Sequence, residues 1–163
     1  MNKIIKMGKY AIAVIFLLCT ISLSAQENKI QIEPRIGLSM GEADNPSAAF
    51  GINFGGQLSI PVVQRFSIDP GVSLILMQDD NFNLNSLLIP VYASYQIPVK
   101  QVNLDLKAGP CAHFIHSVDV GASAEIGVEY KKWVVAVNGY LNFINGDNPH
   151  VLSLSVGYKF SLN

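Results

Sequence analysis

Leu152-Ser153-Leu154-Ser155-Val156-Gly157-Tyr158-Lys159-Phe160-Ser161-Leu162 alternates apolar and polar residues without a break. A period of two gives a β-strand one apolar face and one polar face. Similar stretches recur back to residue 30, and eight strands are predicted: 30–42, 49–60, 66–78, 86–97, 102–115, 119–130, 133–144 and 151–162. No helical period of reasonable length appears after residue 26. Longer turn-like stretches, Gly41 to Ser47, Gln78 to Asn85 and Asn145-Gly146-Asp147-Asn148-Pro149, alternate with short ones such as Pro98 to Gln101 and Lys131-Lys132. Bacterial outer-membrane barrels show this alternation of short turns at one end and longer loops at the other.

The first residues read as a targeting segment. Lys3, Lys6 and Lys9 precede an apolar run from Ala11 to Leu18, with small residues leading to Ala25. A basic start, a short apolar run and a small residue at the cut describe a signal peptide, and the run is too short for a transmembrane helix. The expected division is a signal peptide at 1–25, cleaved after Ala25, and an outer-membrane β-barrel domain at 26–163. Leu18 before Cys19 argues against a lipoprotein cut.

Cleavage removes 25 of the 163 residues and leaves 138, enough for one domain. All 12 acidic residues stay but only 8 of the 11 Lys and Arg, for a net charge near −4. No basic patch is available to attract nucleic acid. Cys111 is then the sole cysteine, so no internal disulfide forms. Charged residues make up 14% of the chain, against about 25% in soluble domains.

The two faces explain that shortage. One parity carries Ile36, Leu38, Phe50, Ile52, Phe54, Val72, Leu74, Ile89, Val91, Leu104, Leu106, Ile126, Val128, Val135 and Val137. The other carries Gly37, Ser39, Gly51, Asn53, Gly55, Gln57, Ser73, Ser94, Gly109, Gly121, Ser123 and Asn138, with scattered charges. An eight-stranded barrel has an interior just wide enough for side chains to fill. Gly, Ser and a few charges suit that space, whereas some thirty bulky groups do not. The expected fold is therefore all-β, an eight-stranded antiparallel up-and-down transmembrane β-barrel with its bulky face in lipid. With an even strand number both mature termini lie in the periplasm. Phe66, Tyr95, Tyr130, Trp133, Tyr158 and Phe160 then fall near the periplasmic rim, and Phe50, Phe114 and Phe143 near the outer rim. Such aromatic girdles mark both interfaces of these barrels. Pro34, Pro70, Pro90 and Pro110 interrupt the strands and predict β-bulges. Pro90 shares the lumen parity with apolar Leu88, which suggests a shifted register in the fourth strand.

Leu88-Ile89-Pro90-Val91-Tyr92-Ala93-Ser94-Tyr95 resembles the mid-barrel strand of PorT-like outer-membrane β-barrel proteins. Ala108-Gly109-Pro110-Cys111-Ala112-His113-Phe114 resembles the following strand of that family, and Val156-Gly157-Tyr158-Lys159-Phe160 is similar to its close. The resemblance spans roughly residues 28–163. It implies an eight-stranded barrel inserted by the outer-membrane assembly machinery and, from the family's named member, an association with protein secretion. No residue here carries that role over.

The candidate site is a lumen charge network of Glu33, Arg35, Asp69, Asp105, Lys107, Glu125, Glu129 and Lys159. Unpaired charges there would be costly, so mutual pairing is expected to plug the pore. Replacing Lys107 and Lys159 by Ala should then raise conductance. His113 and His116 lie near Ser117, Asp119 and Ser123, and a lipid A-modifying enzyme would need such a base beside a nucleophile. Adjacent His116 and Ser117 point to opposite faces, however, and His113 to the lumen. No Cys and His set has metal-ligand spacing, and Gly51, Gly55 and Gly56 precede no helix, so no metal and no cofactor is expected. The acidic, Asn-rich loops could share divalent cations with lipopolysaccharide. The leading expectation is a non-enzymatic outer-membrane barrel with a filled lumen, structural or partner-docking, touching lipid and lipopolysaccharide but no nucleic acid. Its rivals are the lipid A enzyme and a secreted lipocalin-like barrel holding an apolar ligand, which needs the bulky face inside.

Overall fold

The computed structural model describes residues 29–42, 48–79, 82–114, 118–142 and 150–162. The expected signal peptide and its cut, the lipidation question at Cys19, Phe143, His116, Ser117 and the loop tips at 43–47 and 143–149 lie outside the described residues.

The strands are β1 (Gln31–Glu42), β2 (Ala48–Val63), β3 (Phe66–Asp79), β4 (Phe82–Val99), β5 (Val102–Phe114), β6 (Val118–Tyr130), β7 (Trp133–Asn142) and β8 (Val151–Tyr158), with β9 (Phe160–Ser161) beyond it. Each pairs antiparallel with its sequence neighbour, and β1 pairs with both β2 and β8, which closes an eight-stranded barrel. Two residues of β9 pair with β1 in the register of β8, so the two segments form one strand interrupted at Lys159. In that register Pro34, which has no N–H to give, stands opposite Tyr158 at the interruption.

β3 and β4 run further than expected. Asp79 pairs with Phe82, so most of the loop foreseen from Gln78 to Asn85 is paired strand. At the other end two-residue turns link β2 to β3, β4 to β5 and β6 to β7. Arg65, Lys100 and Lys131 occupy left-handed backbone there, with φ of 66°, 55° and 59°. Tight hairpins demand such dihedrals because they match the strand twist.

The bulges expected at Pro34, Pro70, Pro90 and Pro110 are absent. Pro34 pairs with Gly56, Pro70 with Val91, Pro90 with Cys111 and Pro110 with Ala122, all in unshifted registers. Pairing lapses for two residues between Pro70 and Ser73 on β3 and between Pro90 and Ala93 on β4, then resumes in step. The recorded slip lies at Pro61/Val63, beside the β2–β3 turn. Opening a ladder loses local hydrogen bonds; slipping it by one residue would turn every following side chain to the wrong face. The fourth strand is likewise in register, and Leu88, Pro90, Tyr92 and Ser94 all point inward.

The faces sort as the period-two pattern requires. Ile36, Leu38, Ile52, Ile126, Val137 and Leu154 stand outside, Ile36 and Leu38 about two-thirds exposed (65% and 64%), while Glu33, Asp69, Asp105, Lys107 and Glu125 are buried inside. Several inward glycines meet a neighbouring strand's backbone. A Cβ at Gly51 would fall on the Leu76 carbonyl oxygen, and one at Gly121 on that of Leu141. At Gly139, on the outer face, a Cβ would meet only a Leu152 methyl at 4.0 Å. Gly51→Val should therefore cost about 1–3 kcal/mol or more of barrel stability, while Gly139→Ala should be nearly neutral. Urea midpoints in detergent micelles decide this, and equal midpoints would contradict it.

Candidate functional site

Polar and ionisable side chains converge inside the barrel, and they do so in tiers. The tier nearest the short turns is ionic, with Glu125 of β6 at its hub. Arg35 Nη1 donates to Glu125 Oε2 at 2.6 Å, and Lys107 Nζ lies 3.2 Å from Oε1. Arg35 Nε donates to Glu33 Oε1 at 2.7 Å, and Lys107 Nζ approaches Asp69 Oδ2 at 3.3 Å. Lys159 Nζ donates to Asp105 Oδ2 at 2.9 Å and to Glu129 Oε2 at 2.7 Å. The structure thus brings the eight residues into two clusters: Glu33, Arg35, Asp69, Lys107 and Glu125 around the hub, and Asp105 and Glu129 around Lys159.

Five carboxylates face three cations in that set. Neutral donors help to satisfy the excess. Gln96 Nε2 donates to Glu129 at 2.8 Å and Ser67 Oγ to Asp69 at 2.6 Å. Gln57 accepts from Lys107 Nζ at 2.7 Å and offers its Nε2 to Glu125 at 3.4 Å. Such donors offset part of the cost of removing charges from water, while Arg35 Nη2 and Asp105 Oδ1 make no hydrogen bond to a described residue.

A neutral polar tier follows. Asn53 Nδ2 donates to Ser39 Oγ at 2.7 Å, Ser39 and Ser153 share a hydrogen bond of 2.6 Å, and Tyr92 and Ser123 share one of 2.8 Å. The residual cavity among Arg35, Asn53, Gln57, Tyr92, Ser123 and Glu125 is about 30 Å³, room for a water molecule or two.

The third tier, toward the long-loop end, was not foreseen. Ala49, Ile75, Met77, Leu88, Cys111, Tyr140 and Val151 form a buried cluster. Cys111 is a packed filler within it. His113 is fully buried beside the cluster, its ring edge-on to Tyr140 at 4.8 Å and 73°. Neither ring nitrogen of His113 makes a hydrogen bond to a described residue, which is not the setting of a base joined to a nucleophile. His113 pairs in register with Asp119, and both side chains are lumenal. Continuing the lumen parity from Asp69 and Ser73 to Ile75 and Met77 would have found this tier.

The mouth at the short-turn end opens into a cavity of about 160 Å³ among Lys29, Gln31, Arg65, Asp69, Gln96, Asp105 and Lys159. A lipocalin-like cavity would need the aliphatic face inside, and Ile36, Leu38, Ile52 and Ile126 are outside. Among the described residues no group of three or more His, Cys, Asp and Glu side chains could hold a metal ion.

This architecture is shared with solved bacterial barrels. Neisserial surface protein A superposes with a TM-score of 0.68 at 12% identity, over 82% of this chain and 97% of that one. The N-terminal β-barrel domain of Pseudomonas aeruginosa OprF gives 0.57 at 15%, over 82% and 98%. The outer membrane protein OprG from Pseudomonas aeruginosa gives 0.53 at 11%, over 82% and 97%. No protein-family model matches the chain. No curated protein matches it.

Removing the hub takes one carboxylate from both Arg35 and Lys107, which keep Glu33 and Asp69. Glu125→Ala should destabilise the barrel by about 1–3 kcal/mol, the cost of unmade hydrogen bonds to buried charged groups, and Glu125→Gln by less. Lys132→Ala, in an exposed turn, should change stability by no more than about 0.5 kcal/mol. Denaturant titrations of the three variants check the order.

Proposed function

We propose that this chain is a non-enzymatic integral protein of a bacterial outer membrane, with a sealed lumen and a structural or partner-docking role in the cell envelope. In this reading residues 1–25 are a cleaved signal peptide and 26–163 the mature protein, inserted by the outer-membrane assembly machinery. Its strand motifs, quoted above, associate it with the PorT-like barrels and leave a link to secretion open to test. The one observation that carries the reading is the inverted distribution of its side chains. Aliphatic and aromatic groups cover the outside, and ion pairs fill the inside. In water that exterior would be an apolar surface far larger than soluble monomers expose. Against acyl chains it is the favourable arrangement, because a closed barrel has no free sheet edge and pairs its strands' backbone groups with one another.

The same fold is that of OprG, an outer membrane protein. Short turns at the end that bears the termini agree with periplasmic placement of both. Lipopolysaccharide and phospholipid are the expected neighbours of the exterior. Chemistry is not assigned, because the buried His113 faces the lumen while a lipid-modifying site must open to lipid.

Two measurements test this. Fractionation should recover the mature protein in the detergent-extracted outer membrane, migrating faster unboiled than boiled; identical migration would refute the barrel in its membrane. In planar bilayers the protein should show no resolvable conductance steps. The ionic and apolar tiers close the lumen in series, so Lys107→Ala with Lys159→Ala should stay silent alone. This revises the expectation drawn from the charges. Steps should appear only when Met77→Ala and Tyr140→Ala are added, and steps in the Lys double variant would show that the outer tier is no seal.

A further inference from the structure

The short-turn rim gathers exposed cations. Arg65, Lys100, Lys131 and Lys132 occupy its three hairpin turns and are all exposed. The six carboxylates with described side chains, Glu33, Asp69, Asp105, Asp119, Glu125 and Glu129, face the lumen, five of them buried and Glu129 half-buried. Five of these carboxylates are bound to Arg35, Lys107 or Lys159. The turns also hold three of the rim cations in strained backbone. Left-handed φ favours Gly or Asn, yet Arg65, Lys100 and Lys131 stand there.

Directly below the cations runs an arc of aromatic side chains. Trp133 pairs in register with Tyr130 on one side and Tyr158 on the other, and Tyr95 pairs with Phe66. Trp133 packs edge-on to Tyr158 at 5.1 Å, and Tyr158 lies 4.8 Å from Phe160. Lys131 Nζ sits 5.3 Å from the Tyr130 ring centroid. Trp and Tyr favour the headgroup level of a bilayer, with their rings inward and polar edges toward water. A cation one turn beyond such a ring lies at the depth of lipid phosphates.

We propose that this rim is a binding surface for anionic phospholipid headgroups of the adjoining leaflet, the phosphates being held by Arg65, Lys100, Lys131 and Lys132 above the aromatic arc. The inference rests on the membrane reading above. Basic residues near a bilayer surface attract anionic lipid additively and lose that attraction as salt screens it.

Trp133 is the single tryptophan of the chain and lies in the arc, so it reports the lipid beside it. The protein is refolded into phosphatidylcholine vesicles carrying either brominated phosphatidylglycerol or, at the same mole fraction, brominated phosphatidylcholine. The anionic quencher should show an apparent association with Trp133 at least about twofold stronger, the ratio falling toward one as salt is raised. Arg65→Asn, Lys100→Asn and Lys131→Asn, which suit the left-handed turns, combined with Lys132→Gln should bring the ratio to one. Equal quenching by the two lipids at low salt, with a heat-modifiable band present, would overturn this inference alone. Failure to form that band in any vesicle would remove the membrane reading, and the inference with it. Purified lipid A that displaces the quencher where phosphatidylglycerol does not would assign the rim to lipopolysaccharide and overturn the phospholipid proposal. Should the fourfold variant not fold, the wild-type salt titration decides by itself, since a ratio unchanged by salt is incompatible with phosphate pairing.

Discussion

The carboxylate of Glu125 ties together strands that are not neighbours. From β6 it reaches across the bore to Arg35 on β1 and the amide of Gln57 on β2, and it also meets Lys107, its cross-strand partner on the adjacent β5. Backbone pairing joins each strand only to the next one around the barrel. The lumenal side chains span the bore and tie one wall to the other. A buried charge without any partner costs several kcal/mol, and each of the three lumen cations meets two carboxylates. That constraint explains why charge here is so ordered. The inward carboxylates meet cations or neutral donors, while the exposed Lys and Arg side chains lie in the turns and, for Lys29, just ahead of β1.

The network in turn requires strict alternation. A single-residue slip in β5 would swing Asp105 and Lys107 outward and Leu104 and Leu106 inward. The prolines show how firmly the register is kept. The ladders beside Pro70 and Pro90 open for two residues and resume in step. Losing a hydrogen bond or two costs less than exposing an ion pair to an apolar medium. The slip that is present, at Pro61/Val63, falls at the mouth, beyond the ionic tier, where Pro61 and Val63 face the short-turn vestibule.

The fold was legible because period two is a direct consequence of strand geometry, and the C-terminal Leu152 to Leu162 stretch displays it without interruption. The parity argument also put Glu125 and Lys107 on one face. It could not say which carboxylate would meet which cation, since that depends on stagger between strands far apart in the chain. The apolar tier was harder to see. Ile75, Met77 and Tyr140 sit on the lumen parity, but in strands whose other face is equally apolar, so alternation fades there. The same fading made Leu88 and Pro90 read as a register fault when they are ordinary lumen residues. The bulges failed for a different reason, because a proline's missing donor has two remedies and composition does not choose between them.

The two seals have a consequence for how such a barrel can act. With ion pairs in one half of the bore and a cluster of Ile75, Met77, Leu88 and Tyr140 in the other, the residual central space holds little more than a water molecule. A lumen sealed as proposed gives a partner or ligand no passage through the middle. Any signal or cargo must engage a rim or the outer wall. The wall is nearly featureless aliphatic surface suited to acyl chains, whereas the short-turn rim concentrates exposed charge, ordered turns and an open vestibule of about 160 Å³. Chemical specificity among the described residues is therefore concentrated at that rim, and a rigid lumen is what holds its hairpins at fixed spacing.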